Sequence, residues 1–268
     1  MKTLSPFILG ALLMTQVGLA PAQTESSQTV EHKVNDFDPS DGLELAEGFL
    51  KDGKYIDAGK LAQRVLQSDP KNQRAHLVLG KAYFGVGALD LAQKQADTLL
   101  SLDSSVPEYH LLNGMVKMFS EDYDSAIAEL NKAAELSDVP AEQASILNTL
   151  VLAYHRSGQP EMALATCVKA VEEHPEEPQL FLSCSRLYRE KEDFKNALAV
   201  AQAGLEKHPE FASLYASVAL AEKGLGHDEE SEKAFQALKE RNPDLAKALR
   251  EVLDGKKSDK ADYQIWVE

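Results

Sequence analysis

The chain has 268 residues, 44% hydrophobic but only 7% aromatic, with 26% charged and 11 prolines. That length suits one large domain or two small ones, and 28 Lys+Arg against 43 Asp+Glu leave a net charge of −15. So acidic a balance excludes the basic footprint needed for nucleic acid or an anionic membrane, and the two cysteines cannot staple a chain of this size or complete a four-thiolate zinc site.

Residues 1–22 read as a cleaved signal peptide. Lys2 supplies a positive start, Phe7 to Met14 is an apolar run, and Ala20-Pro21-Ala22 offers the small-x-small pattern that a signal peptidase cuts. A membrane-spanning helix needs about 20 apolar residues, and Thr15 and Gln16 interrupt this run. No transmembrane segment is therefore expected once the signal is removed. Cysteine is absent from the cut site, which argues against a lipoprotein. The mature chain would begin at Gln23, and residues 23–38, polar and aperiodic, read as a flexible leader.

Self-similarity then decides the fold. Ala58, Ala92 and Ala126 are 34 apart, as are Ala163 and Ala197, Gly80 and Gly114, and the series Pro175, Pro209, Pro243. The period slips once, to 37, between Ala126 and Ala163. Six repeats follow, at 39–72, 73–106, 107–140, 144–177, 178–211 and 212–245, with an insert at 141–143. Within each, apolar residues recur twice at helical spacing around a Gly-containing or charged turn. In the fourth repeat Ile146, Leu147, Leu150, Val151 and Tyr154 form one stripe and Met162, Ala163, Thr166, Cys167 and Ala170 the other. The turn between them is His155 to Gln159, and the second helix is expected to stop at His174-Pro175. Small residues at 58, 92, 126, 163 and 197, facing Gly80, Gly114, Ser185 and Ala219, let paired backbones approach closely; Tyr83, Tyr154 and Tyr188 fill the gaps between pairs.

On these residues, over 39–245, the chain resembles the tetratricopeptide repeat family. The second repeat lies nearest its pattern, with Leu79-Gly80, Tyr83, Gly87 and Ala92 in register and Ser104 in place of the last proline. The family's tryptophan is absent from every repeat, and the sixth carries Ser231 where alanine is usual. The resemblance implies an all-α, right-handed solenoid of about six helix pairs whose first helices line a concave groove. Residues 244–253 add an amphipathic capping helix, and 254–268 form a tail. It also implies protein binding rather than catalysis. The Lys-and-Asn carboxylate clamp of some chaperone-binding members is missing, with Leu43, Glu47, Leu77 and Lys81 in its places.

No catalytic constellation, cofactor loop or metal set emerges. His76 and His110 are repeat equivalents, as are His174 and His208, so each pair lies about one repeat apart, too far to share a metal. Gly-rich phosphate loops, Ser-centred elbows and two-histidine zinc helices are absent. Cys167 and Cys184 fall on stripes of helices that pack together, leaving two states open: buried thiols acting as small hydrophobes, or a disulfide suited to an exported protein. Such a bond would close a loop of 17 residues and contribute ~3 kcal/mol. The tail ends in Tyr263 to Glu268, which holds the only Trp, Trp266. That alternating hexamer suits addition to a partner's sheet edge, folding back onto the repeats, or no role at all.

A partner-binding stripe comes from the second, fifth, ninth, twelfth and thirteenth residues of each first helix, which share one face. Seven are basic (Lys51, Arg74, Lys81, Arg156, Arg186, Arg189, Lys223) and three acidic (Glu47, Glu108, Glu190), against about −2 for an even spread over the same positions. Leu77, Phe84, Leu111, Met115, Met118 and Phe119 supply an apolar part, and Arg156, Arg186, Arg189 and Lys223 a basic part. The stripe fits a protein or peptide segment with apolar and acidic parts; equally, its cations would neutralise the protein's own acids. The expected function is an exported, periplasmic, non-catalytic scaffold of a cell-envelope complex. The alternative is an accessory or regulatory subunit of an envelope enzyme or of a secretion machine, such as polysaccharide export or pilus assembly.

Overall fold

The structure, a computed structural model, describes residues 42–255. The expected signal peptide, leader and terminal hexamer lie outside the described residues. Among those residues there are thirteen α-helices and no strand. The chain divides into two compact units, the first ending at Leu136 and the second beginning at Ser137. The N-terminal half holds α1 (Gly42–Lys51), α2 (Tyr55–Ser68), α3 (Gln73–Gly85), α4 (Leu89–Leu102), α5 (Pro107–Phe119) and α6 (Tyr123–Leu136). The C-terminal half holds α7 (Pro140–Arg156), α8 (Pro160–Glu173), α9 (Pro178–Glu190), α10 (Phe194–Lys207), α11 (Ala212–Gly224), α12 (Asp228–Arg241) and α13 (Pro243–Leu253).

Each half is a solenoid of helix hairpins. Within each half every helix packs on the next, and the first helices also touch each other: α1 with α3 and α3 with α5 in one, α7 with α9, α9 with α11 and α11 with α13 in the other. The alanines at 58, 92, 126, 163 and 197 are fully buried at the crossings. Opposite them, a Cβ on Gly114 would stand 2.7 Å from Leu130 Cγ, and one on Gly80 2.7 Å from Leu112 Cδ2. The last two repeats solve the same crossing with serine. Ser185 Oγ on α9 donates to the Ala197 carbonyl on α10 (2.9 Å), and Ser231 Oγ on α12 donates to the Ala219 carbonyl on α11 (2.8 Å). The serine thus changes helix between repeats, which accounts for Ser231 in the place usually held by alanine.

Helix starts are set locally. Pro107, Pro140, Pro160, Pro178 and Pro243 open α5, α7, α8, α9 and α13, where the missing N–H leaves no bond unmade. Asn72, Asp193 and Asn242 accept from the Ala75, Asn196 and Leu245 amides as N-caps. The insert at 141–143 does not form a loop. It lengthens α7 to 17 residues, against 13 for α3, α5, α9 and α11. His155 and Arg156, expected in the following turn, instead belong to the last turn of α7.

The turn inside each hairpin repeats six times. Residues 53, 87, 121, 158, 192 and 226 all have left-handed backbone. Each ends its helix in one bonding pattern, as when Gly87 N–H donates to Phe84 O and Ala88 N–H to Tyr83 O. Four are glycine, but the third and fifth repeats place Glu121 (φ 65°) and Glu192 (φ 58°) there, where a Cβ is unfavourable. Glu121→Gly and Glu192→Gly should therefore each stabilise the fold by about 0.5–1 kcal/mol, the left-handed penalty less the greater chain entropy that glycine loses. Urea unfolding followed by helical circular dichroism measures this, and unchanged or lower midpoints would contradict the strain.

Candidate partner-binding faces

The first helices of the N-terminal half carry two ion pairs. Arg74 on α3 grips Glu47 on α1 through two hydrogen bonds of 2.6 and 2.8 Å. Lys81, two turns further along α3, reaches Glu108 on α5 at 2.5 Å. Residues 47 and 81 are repeat equivalents, and so are 74 and 108. One cross-repeat contact is thus used twice with its polarity reversed. The Arg74 hydrogen bond holds the Glu47 carboxyl below the usual carboxylate range, and Glu47 in turn raises the Arg74 guanidinium.

On the same helices α3 and α5, Leu77, Leu111, Met115 and Phe119 are all half-buried. Phe84 and Met118, expected on the same face, are enclosed in the core at 1% and 2% exposure. Phe84 meets the Phe119 ring edge-on at 5.1 Å, so the contact between α3 and α5 consumes it. Helical spacing gives the direction of the twelfth residue of a repeat but not how deeply the neighbouring pair covers it.

In the C-terminal half Arg186 donates to Glu190 one turn on (2.8 Å), and His155 on α7 approaches the same carboxylate at 3.3 Å. Lys223 donates to Asp228 at 2.7 Å. Arg156 and Arg189 are half-buried on α7 and α9. All three acids of the stripe therefore answer cations of the same stripe, and Asp228, outside it, offsets one more cation, Lys223. The reversed charges at 47 and 81, and at 74 and 108, were visible in the 34-residue spacing as a sign that these positions face one another.

Two of the histidines act as brackets. His76 joins Gln95 (2.7 Å) to the Pro70 carbonyl (3.0 Å), and His110 joins Glu129 (2.7 Å) to the Ser104 carbonyl (3.0 Å). Each ties a first helix to its second helix and to the preceding turn. Cys167 on α8 and Cys184 on α9 form a disulfide, with Cα atoms 5.6 Å apart and both side chains fully buried. It fastens the fourth repeat to the fifth. Among the described residues no three His, Cys, Asp or Glu side chains are grouped to hold a metal ion, and no helix is long and apolar enough to cross a membrane.

Comparison with known proteins bears on this architecture. The tetratricopeptide repeat profile matches residues 49–114. Hsp70-Hsp90 organizing protein 2 of Arabidopsis thaliana is 29% identical over 102 residues, 37% of this chain, and the chain spans only 18% of that protein's length. The structure of Pseudomonas aeruginosa PilF superposes with a TM-score of 0.64 at 17% identity, over 82% of this chain and 97% of PilF. PilW, described as a type IV pilus biogenesis factor, gives 0.65 at 19% identity, over 77% of this chain and 94% of its own. At such identities the two structures share the fold. The match to the tetratricopeptide repeat family is thus confined to residues 49–114, and beyond it the likeness to these structures is one of fold.

The reversed pairs carry a testable consequence. Arg74→Glu should lower the urea midpoint by setting two glutamates against each other, and Glu47→Arg combined with Arg74→Glu should recover more than half of the loss. Because the folded Glu47 carboxyl is depressed, its contribution is complete above the unfolded value of about 4.3 and is lost as pH falls through the folded value. The advantage of the wild-type pair over single mutants should shrink on that acid side. Equal midpoints for single and double variants at neutral pH would show that the pair contributes nothing.

Proposed function

We propose that this tetratricopeptide repeat array is an exported, non-enzymatic scaffold of the periplasm that holds a partner protein within a cell-envelope complex. The disulfide between Cys167 and Cys184 is the observation that carries the location. Such bonds persist in oxidising compartments, and the signal-like sequence of residues 1–22 supports the same placement. The binding surface is the first-helix face of each half. Leu77, Leu111, Met115 and Phe119 offer apolar contact around Lys81 in the N-terminal half, and Arg156, Arg186, Arg189 and Lys223 offer positive charge in the C-terminal half. A partner segment with apolar and acidic parts fits both.

Arginine recognises carboxylates through paired hydrogen bonds, while exposed ion pairs contribute only about 0.2–1 kcal/mol each. Affinity would then come mainly from the apolar contacts, and selectivity from the charges. A second reading, an accessory part in pilus assembly, is supported by PilW, a pilus biogenesis factor of the same fold.

Protein recovered from an envelope fraction should begin at Gln23 and take up no alkylating reagent until it is reduced. Immobilised in an envelope extract, it should retain a defined partner whose binding weakens with salt. Arg186→Glu combined with Lys223→Glu should reduce that retention severalfold at low ionic strength while leaving the helical signal intact. Retention unchanged by the reversal would reject the C-terminal face, and catalytic activity of the purified chain would reject the scaffold.

A further inference from the structure

The disulfide between Cys167 and Cys184 is sealed inside the C-terminal half. Both residues are fully buried, and the cluster around them takes Val151 and Tyr154 from α7, Leu164 from α8, Leu187 from α9 and Val200 from α10. Four helices of two successive repeats must therefore loosen before any reagent reaches either sulfur. Thiol–disulfide exchange depends on that access, because a thiolate has to attack sulfur directly. The closed site suits the reduced pair as well. In a reduced chain the Cys167 thiol has an acceptor in place, the Leu180 carbonyl oxygen 3.6 Å from its Sγ, and a free cysteine packs as a small hydrophobe.

Timing then decides how the bond arises. Helical folds built on contacts between neighbours close within microseconds to milliseconds, whereas disulfide formation takes seconds to hours, depending on the oxidant. Left to itself, the chain would enclose both thiols long before it oxidised them. We propose that the bond is made on the open chain, before α8 and α9 pack, by exchange with the disulfide of a dithiol oxidase, and that closure of the repeats then seals it. One cysteine thiolate attacks the oxidase disulfide, forming a mixed disulfide and releasing one oxidase thiolate. The other cysteine thiolate attacks the chain's own sulfur in that mixed disulfide, forming Cys167–Cys184 and expelling the second oxidase thiolate. Two electrons pass to the oxidase, and the two cysteine protons end on its dithiol. The chain holds only two cysteines, so a single intramolecular pairing exists and no isomerase is called for. This donor meets the open chain alone and is distinct from the partner of the folded scaffold.

Exchange on the purified intact protein tests this independently of the scaffold's location and partner. Challenged with dithiothreitol and quenched with a maleimide, the native protein should be reduced on the order of a hundredfold or more slowly than in urea, because reduction waits on opening of the repeats. Leu187→Ala, which loosens the cluster, should speed native reduction and leave the rate in urea unchanged. In the opposite direction, reduced chain diluted from urea into native buffer with oxidised glutathione should recover its helical circular dichroism while both thiols still react. The same glutathione should bond the pair in urea. A reduced chain that regains no helical signal would equally place oxidation ahead of folding. Native reduction as fast as in urea would overturn the proposal, and so would oxidation of the refolded chain at the rate of the open one.

Discussion

The close crossing of the two helices within each repeat is the constraint on which the rest depends. At Gly114 even one added carbon would stand 2.7 Å from Leu130 Cγ and 3.2 Å from the Ala126 carbonyl oxygen. Helices held this near leave room for only a short connection, and the left-handed residue that ends every first helix provides it. Close pairing also lets neighbouring first helices touch, which brings Arg74 onto Glu47 and Lys81 onto Glu108. Alanine, glycine and serine meet the same steric demand by different means, and serine adds a hydrogen bond across the crossing.

The periodicity was legible because it follows from that demand: small residues recur wherever backbones meet. The all-α succession of helix pairs could be read from spacing. Other features depend on distances that spacing does not encode. Glu121 and Glu192 disguise a backbone conformation that glycine would announce. The insert at 141–143 joins a helix because Pro140 opens α7 a turn early. Phe84 and Met118 point along the expected face yet are covered by the adjacent pair. Cys167 and Cys184 are bonded because α8 and α9 bring their Cα atoms to 5.6 Å, a geometry within the range that permits a bridge.

Charge has two roles in this acidic protein. Along the first helices of the N-terminal half, reversed pairs match each hairpin to its neighbour, so that a hairpin out of order would set like charges together. This favours one stacking order at small energetic gain, since exposed pairs are worth little on their own. In the C-terminal half Glu190 is shared by Arg186 and His155, and this face keeps more cations than acids in a chain of net charge −15. Recognition of an acidic segment there would oppose the charge of the whole molecule, and so would select partners by local pattern rather than by overall attraction.

The central claim is that the first-helix faces bind a partner protein. A photo-reactive residue placed at Leu111 or at Arg186 should form adducts with the same partner in the native envelope. Placed at Lys132 or Glu206, on the exposed sides of second helices α6 and α10, it should form none. Adducts arising only from Lys132 and Glu206 would contradict the account.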